Sequence, residues 1–312
     1  MQIAGIMKFI QCDVFTDQIF AGNPLAVFID EAWTQTLDSE TMQKIAREMN
    51  LSETVFVLPP TEATALRRLR IFTPSLELPM AGHPVVGTWN MLARLGVVAP
   101  PASGSGRVVI QQELKLGILP VEIDFVDGKP VKVTMTQGTP SVGEPLDETE
   151  ICARALGLSA EEIGSWGLPI VLASTGVPYQ IIPVRDRAAL SRIKLNYQAL
   201  SEILKKVNDH AVYVVTHEAH RADAFVSARM FCGESVGIVE DPATGSAAGP
   251  CAAALVHYGI APAKFIIEQG VDMGRPSYIE AEVDGEKGSV SKVKIGGNAV
   301  QVLKGEINLL GR

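Results

Sequence analysis

The chain has 312 residues, of which 47% are apolar and 20% charged, a profile that supplies a packed interior and room for two domains of ordinary size. Its formal net charge of -8 removes any global basic field, so neither nucleic acid nor an anionic membrane surface is an expected partner. No apolar run approaches the ~18 residues of a membrane span.

In chain order, MQIAGIMKFIQCDVF lacks the basic start, long apolar stretch and small-residue cleavage site of a signal peptide and reads as the lead into a first strand, with Met7 a possible natural start. GNPLAVFI (22 to 29) is a turn followed by a strand. MQKIAREM is a helix that stops at an Asn-Leu-Ser turn, after which Glu53 opens the strand ETVFVLP. In AGHPVVGTWNMLARLG a helix runs from Pro84 to Leu95. Pro84 suits a first helical turn because its missing N–H costs nothing there, and Gly96 ends the helix. PPASGSG is a loop, and RVVIQQEL and ILPVEIDF after it are strand-like. A domain boundary is expected at 137 to 140, before an amphipathic helix over 148 to 156.

The second half repeats the first. GNPLAVFI returns as GVPYQIIP at an offset of 154, LSETVFVLP as NDHAVYVVT near 157, RIF as RMF at 159, and AGHPVVGTWNMLARLG as TGSAAGPCAAALVHYG at 163. Four anchors in the same order with slowly rising offsets imply a duplication, hence two lobes, each with sheet and one helix opening at a glycine turn. The second helix, about 247 to 258, is mostly Ala and Gly and ends at Gly259.

A helix start carries unpaired amide donors and about half a positive charge, so it attracts anions. Two such starts facing one cleft between the lobes would hold a small carboxylate on amides near Gly82, His83, Gly245 and Ser246. Side chains there can do chemistry: His83 at one turn, Asp241 and Ser246 at the other, and Glu53 at a half-buried helix–strand junction, where desolvation would raise its pKa toward neutrality. Each has a bland alternative. Taken alone, Asp241 reads first as an N-cap, Glu53 as an exposed or capping acid, and His210, His217, His220 and His257 as structural or solvated. HEAH at 217 to 220 is not HExxH, GSAAG is not GxSxG, ATGSAAG lacks the P-loop lysine, and GSGRVV lacks a dinucleotide fingerprint. The four cysteines, Cys12, Cys152, Cys232 and Cys251, have no metal-ligand or CxxC spacing and fit reduced, buried thiols of a cytoplasmic protein. No metal site is expected.

DVFTDQIFAGNPLAVF, AREMNLSETVFV, RIFTP with LPMAGHPVVGT, STGVPY, EDPATGSAAGP and EQGVDMGRPS together resemble, in order and over essentially the whole chain, the PhzF-like phenazine-biosynthesis family. The resemblance implies an α+β, diaminopimelate epimerase-like fold: two pseudo-symmetric lobes, each a barrel-like, mostly antiparallel sheet around a central helix. The lobes would cover 7–137, completed by 300–312, and 138–299, with the active-site cleft between them. It implies a homodimer, no cofactor, and isomerisation of the trans-2,3-dihydro-3-hydroxyanthranilate type. The residue at Glu53 would carry a proton from one ring carbon to another, while those at His83, Asp241 and Ser246, with the amides of Gly82 and Gly245, bind and polarise a small carboxylated substrate. The epimerase's facing cysteines are missing from both helix starts: Cys251 falls inside the second helix, at the position matching Thr88, and Cys232 well before Asp241. An amino-acid racemase or epimerase using Glu53 and another acid, and a non-catalytic small-acid-binding or adaptor protein, are the alternatives.

Overall fold

The structure, a computed structural model, describes residues 5–309 apart from 165, 208–210 and 234–238. His210 and the last three residues of the C-terminal segment thus lie outside the described residues. The chain divides into two compact units, Met1–Met135 with Gly297–Arg312, and Thr136–Gly296.

In the first unit β1 (Ile6–Val14) pairs antiparallel with β2 (Asn23–Phe28). A short α1 (Glu31–Thr34) and α2 (Ser39–Met49) then cross over to β3 (Glu53–Leu58), which runs parallel to β2. The Asp38 carboxylate accepts from the Thr41 amide to start α2, and Asn50, in the left-handed region at φ 49°, stops it. The chain is thereby turned so that Glu53 enters β3. β4 (Arg67–Phe72) returns antiparallel to β3 and carries the two-residue β5 (Glu77–Leu78) on its end. After α3 (Gly82–Arg94) come β6 (Gly106–Leu114), parallel to β4, then β7 (Gly117–Val126) and β8 (Lys129–Thr136) in two hairpins.

The second unit repeats this plan. β9 (Ser141–Pro145) leads through α4 (Thr149–Leu156) to β10 (Val171–Ser174), which pairs with β9 and with β11 (Pro178–Pro183). A crossover of α5 (Arg187–Ser191) and α6 (Tyr197–Leu204) reaches β12 (Ala211–Thr216), parallel to β11. β13 (Ala224–Cys232) follows antiparallel, with a two-residue β14 (Glu240–Asp241), then α7 (Gly245–His257). β15 (Lys264–Gln269) is parallel to β13, and β16 (Ser277–Glu286) and β17 (Ser289–Gly297) close the unit as hairpins. β18 (Ala299–Asn308) pairs antiparallel along all of β1 and so belongs to the first unit.

The duplication extends to side chains. Arg70 makes a bidentate pair with Glu77 at 2.8 and 2.9 Å and lies over Phe72; Arg229 does the same with Glu240 at 2.7 and 2.8 Å and lies over Phe231. Each pair locks the two-residue strand that leads into a central helix. Those helices have thirteen residues each and are buried on nearly every side, α3 against β1, β2, β3 and β18, α7 against β9, β10, β11 and β16. Apolar and small side chains all round leave no face fit for water, so each sheet wraps its helix. At Gly87 in α3 the packing is close, since a Cβ there would lie 2.6 Å from Val14 Cγ2 and 2.7 Å from Leu25 Cδ2, and at Gly249 in α7 a Cβ would overlap the Gln137 side chain. This is the α+β, mostly antiparallel diaminopimelate epimerase-like architecture that the resemblance implies.

Both helices begin earlier than the sequence pattern indicates, at Gly82 rather than Pro84 and at Gly245 rather than about 247. His83 and Ser246 are therefore first-turn residues. Gly96 at φ 79° and Gly259 at φ 69° follow the C-termini as left-handed stops.

Candidate active site

In the first unit, the parallel pairing of β2 with β3 sets Leu25 opposite Glu53, so Asn23 at the start of β2 and Glu53 at the start of β3 lie at the same end of the sheet. The start of α3 brings in His83. Its Nε2 lies 3.2 Å from Glu53 Oε2, a polar contact that is not aligned as a straight hydrogen bond and would be an ion pair only with the ring protonated. Its Nδ1 lies 3.4 Å from Asn23 Nδ2, and Asn23 Oδ1 accepts from Ser52 Oγ at 3.0 Å. The imidazole is 5% exposed and Asn23 fully buried, whereas the Glu53 side chain keeps 16% of its surface open. Burial pushes the His83 pKa down to about 3, so the ring is neutral near pH 7. Ala81, in the N-cap position of α3, has no side chain that can cap the helix.

In the second unit, Asp241 is 5% exposed and ends β14, three residues before the N-cap position of α7. That position belongs to Thr244, which makes no side-chain cap bond but donates from Oγ1 to Asp241 Oδ2 at 2.6 Å. The N-cap alternative for Asp241 is thereby set aside: its carboxylate is held in the loop before the helix. Gln269 supports this loop from β15. Its Nε2 donates to the Asp241 carbonyl at 2.7 Å and to Thr244 Oγ1 at 3.0 Å, while its Oε1 accepts from the Thr244 amide at 3.1 Å and from Tyr213 Oη at 2.9 Å. Ser246, in the first turn of α7, lies 2.7 Å from Tyr179 Oη, and Gln137 Nε2 donates to the Gly245 carbonyl at 2.8 Å. Two polar clusters therefore exist, each at the start of a buried helix: Glu53, Gly82 and His83 in one unit, Asp241, Gly245 and Ser246 in the other.

By the repeat offsets, His83 corresponds to Ser246, Leu78 to Asp241, and Asn23 to Val177. The duplicated scaffold thus carries different chemistry in its two copies. Asn23, Ser52, Tyr179, Thr244 and Gln269 are absent from the sequence-derived set of functional residues. The departure from GVP to GNP between otherwise matching repeats is the signal that would have found Asn23. Tyr179 and Gln269 lie within the STGVPY and EQG stretches, where nothing in their spacing distinguishes them from core residues.

The HEAH stretch has a structural use. His220 Nδ1 lies 3.0 Å from the wholly buried Glu268 carboxylate, which also accepts from the amides of His220 and Arg221 and from Ser227 Oγ. Burial opposes ionisation of Glu268, yet these bonds hold its pKa below the usual carboxylate value. All four cysteines are buried free thiols on β1, α4, the end of β13 and the interior of α7. Burial pushes the Cys152 thiol up to about 12 and raises those of Cys12 and Cys251 as well. Among the described residues, no group of three or more His, Cys, Asp or Glu side chains could hold a metal ion, and no helix is long and apolar enough to cross a membrane.

A family model described as phenazine biosynthesis-like protein matches residues 12–305. An uncharacterised isomerase of Mesorhizobium japonicum is 40% identical over 310 residues, covering 96% of this chain and 98% of its own. The trans-2,3-dihydro-3-hydroxyanthranilate isomerase of Pseudomonas aeruginosa is 35% identical over 304 residues, covering 97% and 99%. Among solved structures, a Bacillus anthracis phenazine biosynthesis protein of the PhzF family superposes with a TM-score of 0.84 at 28% identity, over 97% of this chain and 99% of that one.

Proposed function

The chain belongs to the phenazine biosynthesis-like family and is a PhzF-like isomerase, and from that premise we propose that it moves a proton within a small carboxylated substrate of the trans-2,3-dihydro-3-hydroxyanthranilate type, with Glu53 as the carrier. The observation that carries this reading is the pairing of Glu53 Oε2 with His83 Nε2 at 3.2 Å, at a helix start and with part of the carboxylate open. A single carboxylate suffices, because the proton taken from one carbon is returned to another and the electron pair moves through the intervening double bonds. Nothing is oxidised, and no group leaves.

In this reading His83 is a neutral donor that holds the Glu53 carboxylate and polarises the group facing it. Asp241, fixed by Thr244 and Gln269, accepts hydrogen bonds from the substrate's amino or hydroxyl group. Ser246 and the first-turn amides at Gly82 and Gly245 bind the substrate carboxylate, where the helix dipole favours negative charge. General acid–base catalysis by one positioned group contributes roughly 10²- to 10⁴-fold. Glu53→Gln is therefore expected to keep the fold and ligand binding and to lose turnover by about that factor. The test is NMR of trans-2,3-dihydro-3-hydroxyanthranilate in D₂O with both proteins. Conversion by the wild type, with deuterium at the receiving carbon and little conversion by the variant, supports the reading. Near-wild-type turnover by Glu53→Gln removes Glu53 from the role, and no conversion by the wild type moves the substrate to another small acid.

A further inference from the structure

Ser52, Asn23, His83 and Glu53 form a chain of polar contacts at 3.0, 3.4 and 3.2 Å, all within the first unit. A neutral imidazole has one N–H, so the group facing one ring nitrogen decides what the other can do. Two assignments are self-consistent. With the Asn23 amide N–H directed at Nδ1, that nitrogen accepts, the ring proton sits on Nε2, and it faces Glu53 Oε2 at 3.2 Å, where it favours the carboxylate. With the amide reversed, Nδ1 donates to the amide oxygen, Nε2 offers a lone pair, and Glu53 must hold a proton to meet it. The orientation of one buried amide therefore decides whether the carboxyl group starts as a base or as an acid. In the observed arrangement Ser52 Oγ donates to the amide oxygen, which leaves the amide N–H for His83.

We propose that Asn23 is a positioning residue that fixes His83 as the Nε2–H tautomer and so sets Glu53 to begin each cycle deprotonated. The inference rests on the reading of Glu53 as the proton carrier. Asn23 is suited to the task because it is fully buried and stands in paired strand, opposite Val14 on β1. An amide so enclosed cannot exchange its two ends freely. Asn23 would also resist formation of the imidazolium, whose Nδ1–H would meet an N–H donor.

The test reads the protons directly. Long-range ¹H–¹⁵N correlation of the imidazole rings at pH 7, with the His83 signals identified by their loss in His83→Gln, is expected to show an unprotonated Nδ1 and a protonated Nε2. In Asn23→Asp a carboxylate replaces the amide donor, so Nδ1 is expected to gain a proton and turnover to fall at least tenfold. A proton on Nδ1 in the wild type overturns the proposal without recourse to any variant. An Nδ1 that stays unprotonated in a folded Asn23→Asp overturns it too. If Glu53→Gln loses turnover while the wild-type ring carries its proton on Nδ1, the tautomer assignment fails and the carrier reading survives. If Glu53→Gln stays active with the Nε2–H tautomer present, the carrier reading fails, and the catalytic meaning of Asn23 with it.

Discussion

A buried, neutral His83 makes the stability of this protein depend on pH between about 7 and 3, and the size of that dependence follows from its surroundings. An unperturbed histidine titrates near pH 6.5, so in the unfolded chain the ring takes up a proton below that value. In the folded chain burial holds its pKa at about 3. Between those values the unfolded state binds the extra proton, and acid therefore favours unfolding. The contribution is fully present above pH 6.5, is lost progressively as pH falls, and stops changing near pH 3, where the folded ring protonates as well. At 1.36 kcal/mol per pH unit, the loss between pH 7 and pH 5 is about 2 kcal/mol. The Glu53 carboxylate, 3.2 Å away, acts in the opposite sense because it attracts an imidazolium, while the Asn23 donor at Nδ1 acts with burial. The assay is urea unfolding of the wild type and His83→Gln at pH 7, 6 and 5, in which the titration of other groups largely cancels. The wild-type free energy is expected to lose about 2 kcal/mol against the variant across that range. Parallel curves would refute the reasoning and mean that the ring ionises in place, with Glu53 outweighing burial and Asn23.

Two stability predictions address the scaffold around the two clusters. Gln269→Leu removes four hydrogen bonds and leaves Tyr213 Oη, the Thr244 amide and the Asp241 carbonyl without this partner. At about 1–3 kcal/mol for each stranded group, urea unfolding of the variant is expected to report a loss of at least about 3 kcal/mol. A loss below 1 kcal/mol would mean that the loop before α7 does not depend on Gln269. Gly22→Ala places a Cβ 2.3 Å from the Val14 carbonyl oxygen at a residue with φ +65°, immediately before Asn23. It is expected to lower stability by about 2 kcal/mol or more, and an unchanged denaturation midpoint would contradict the strain argument.

Much of this fold was legible in one sequence because a duplicated chain prints its architecture twice. GNP and GVP, RIF and RMF, and the paired glycine-turn helices are local signals, set by turn chemistry and by strand and helix periodicity, and local signals survive without tertiary information. The same holds for Gly96 and Gly259, whose left-handed backbone follows from their place at helix ends. Glu53, His83 and Asp241 stood out because the motifs around them resemble those of the phenazine-biosynthesis family. The polar support around them did not, since Asn23, Tyr179 and Gln269 are separated by tens of residues from what they touch, and Thr244 sits where a helix cap is expected. The exact helix starts also required the folded chain: the Arg70–Glu77 and Arg229–Glu240 pairs anchor the two short strands from which the helices depart, and that geometry puts His83 and Ser246 inside the first turns. Sequence alone therefore determined the repeat and the fold class, and singled out the side chains proposed here to react. Tertiary structure decided the protonation state of His83, because burial and the amide facing Nδ1 come from strands and a helix that meet only when the sheet has closed around it.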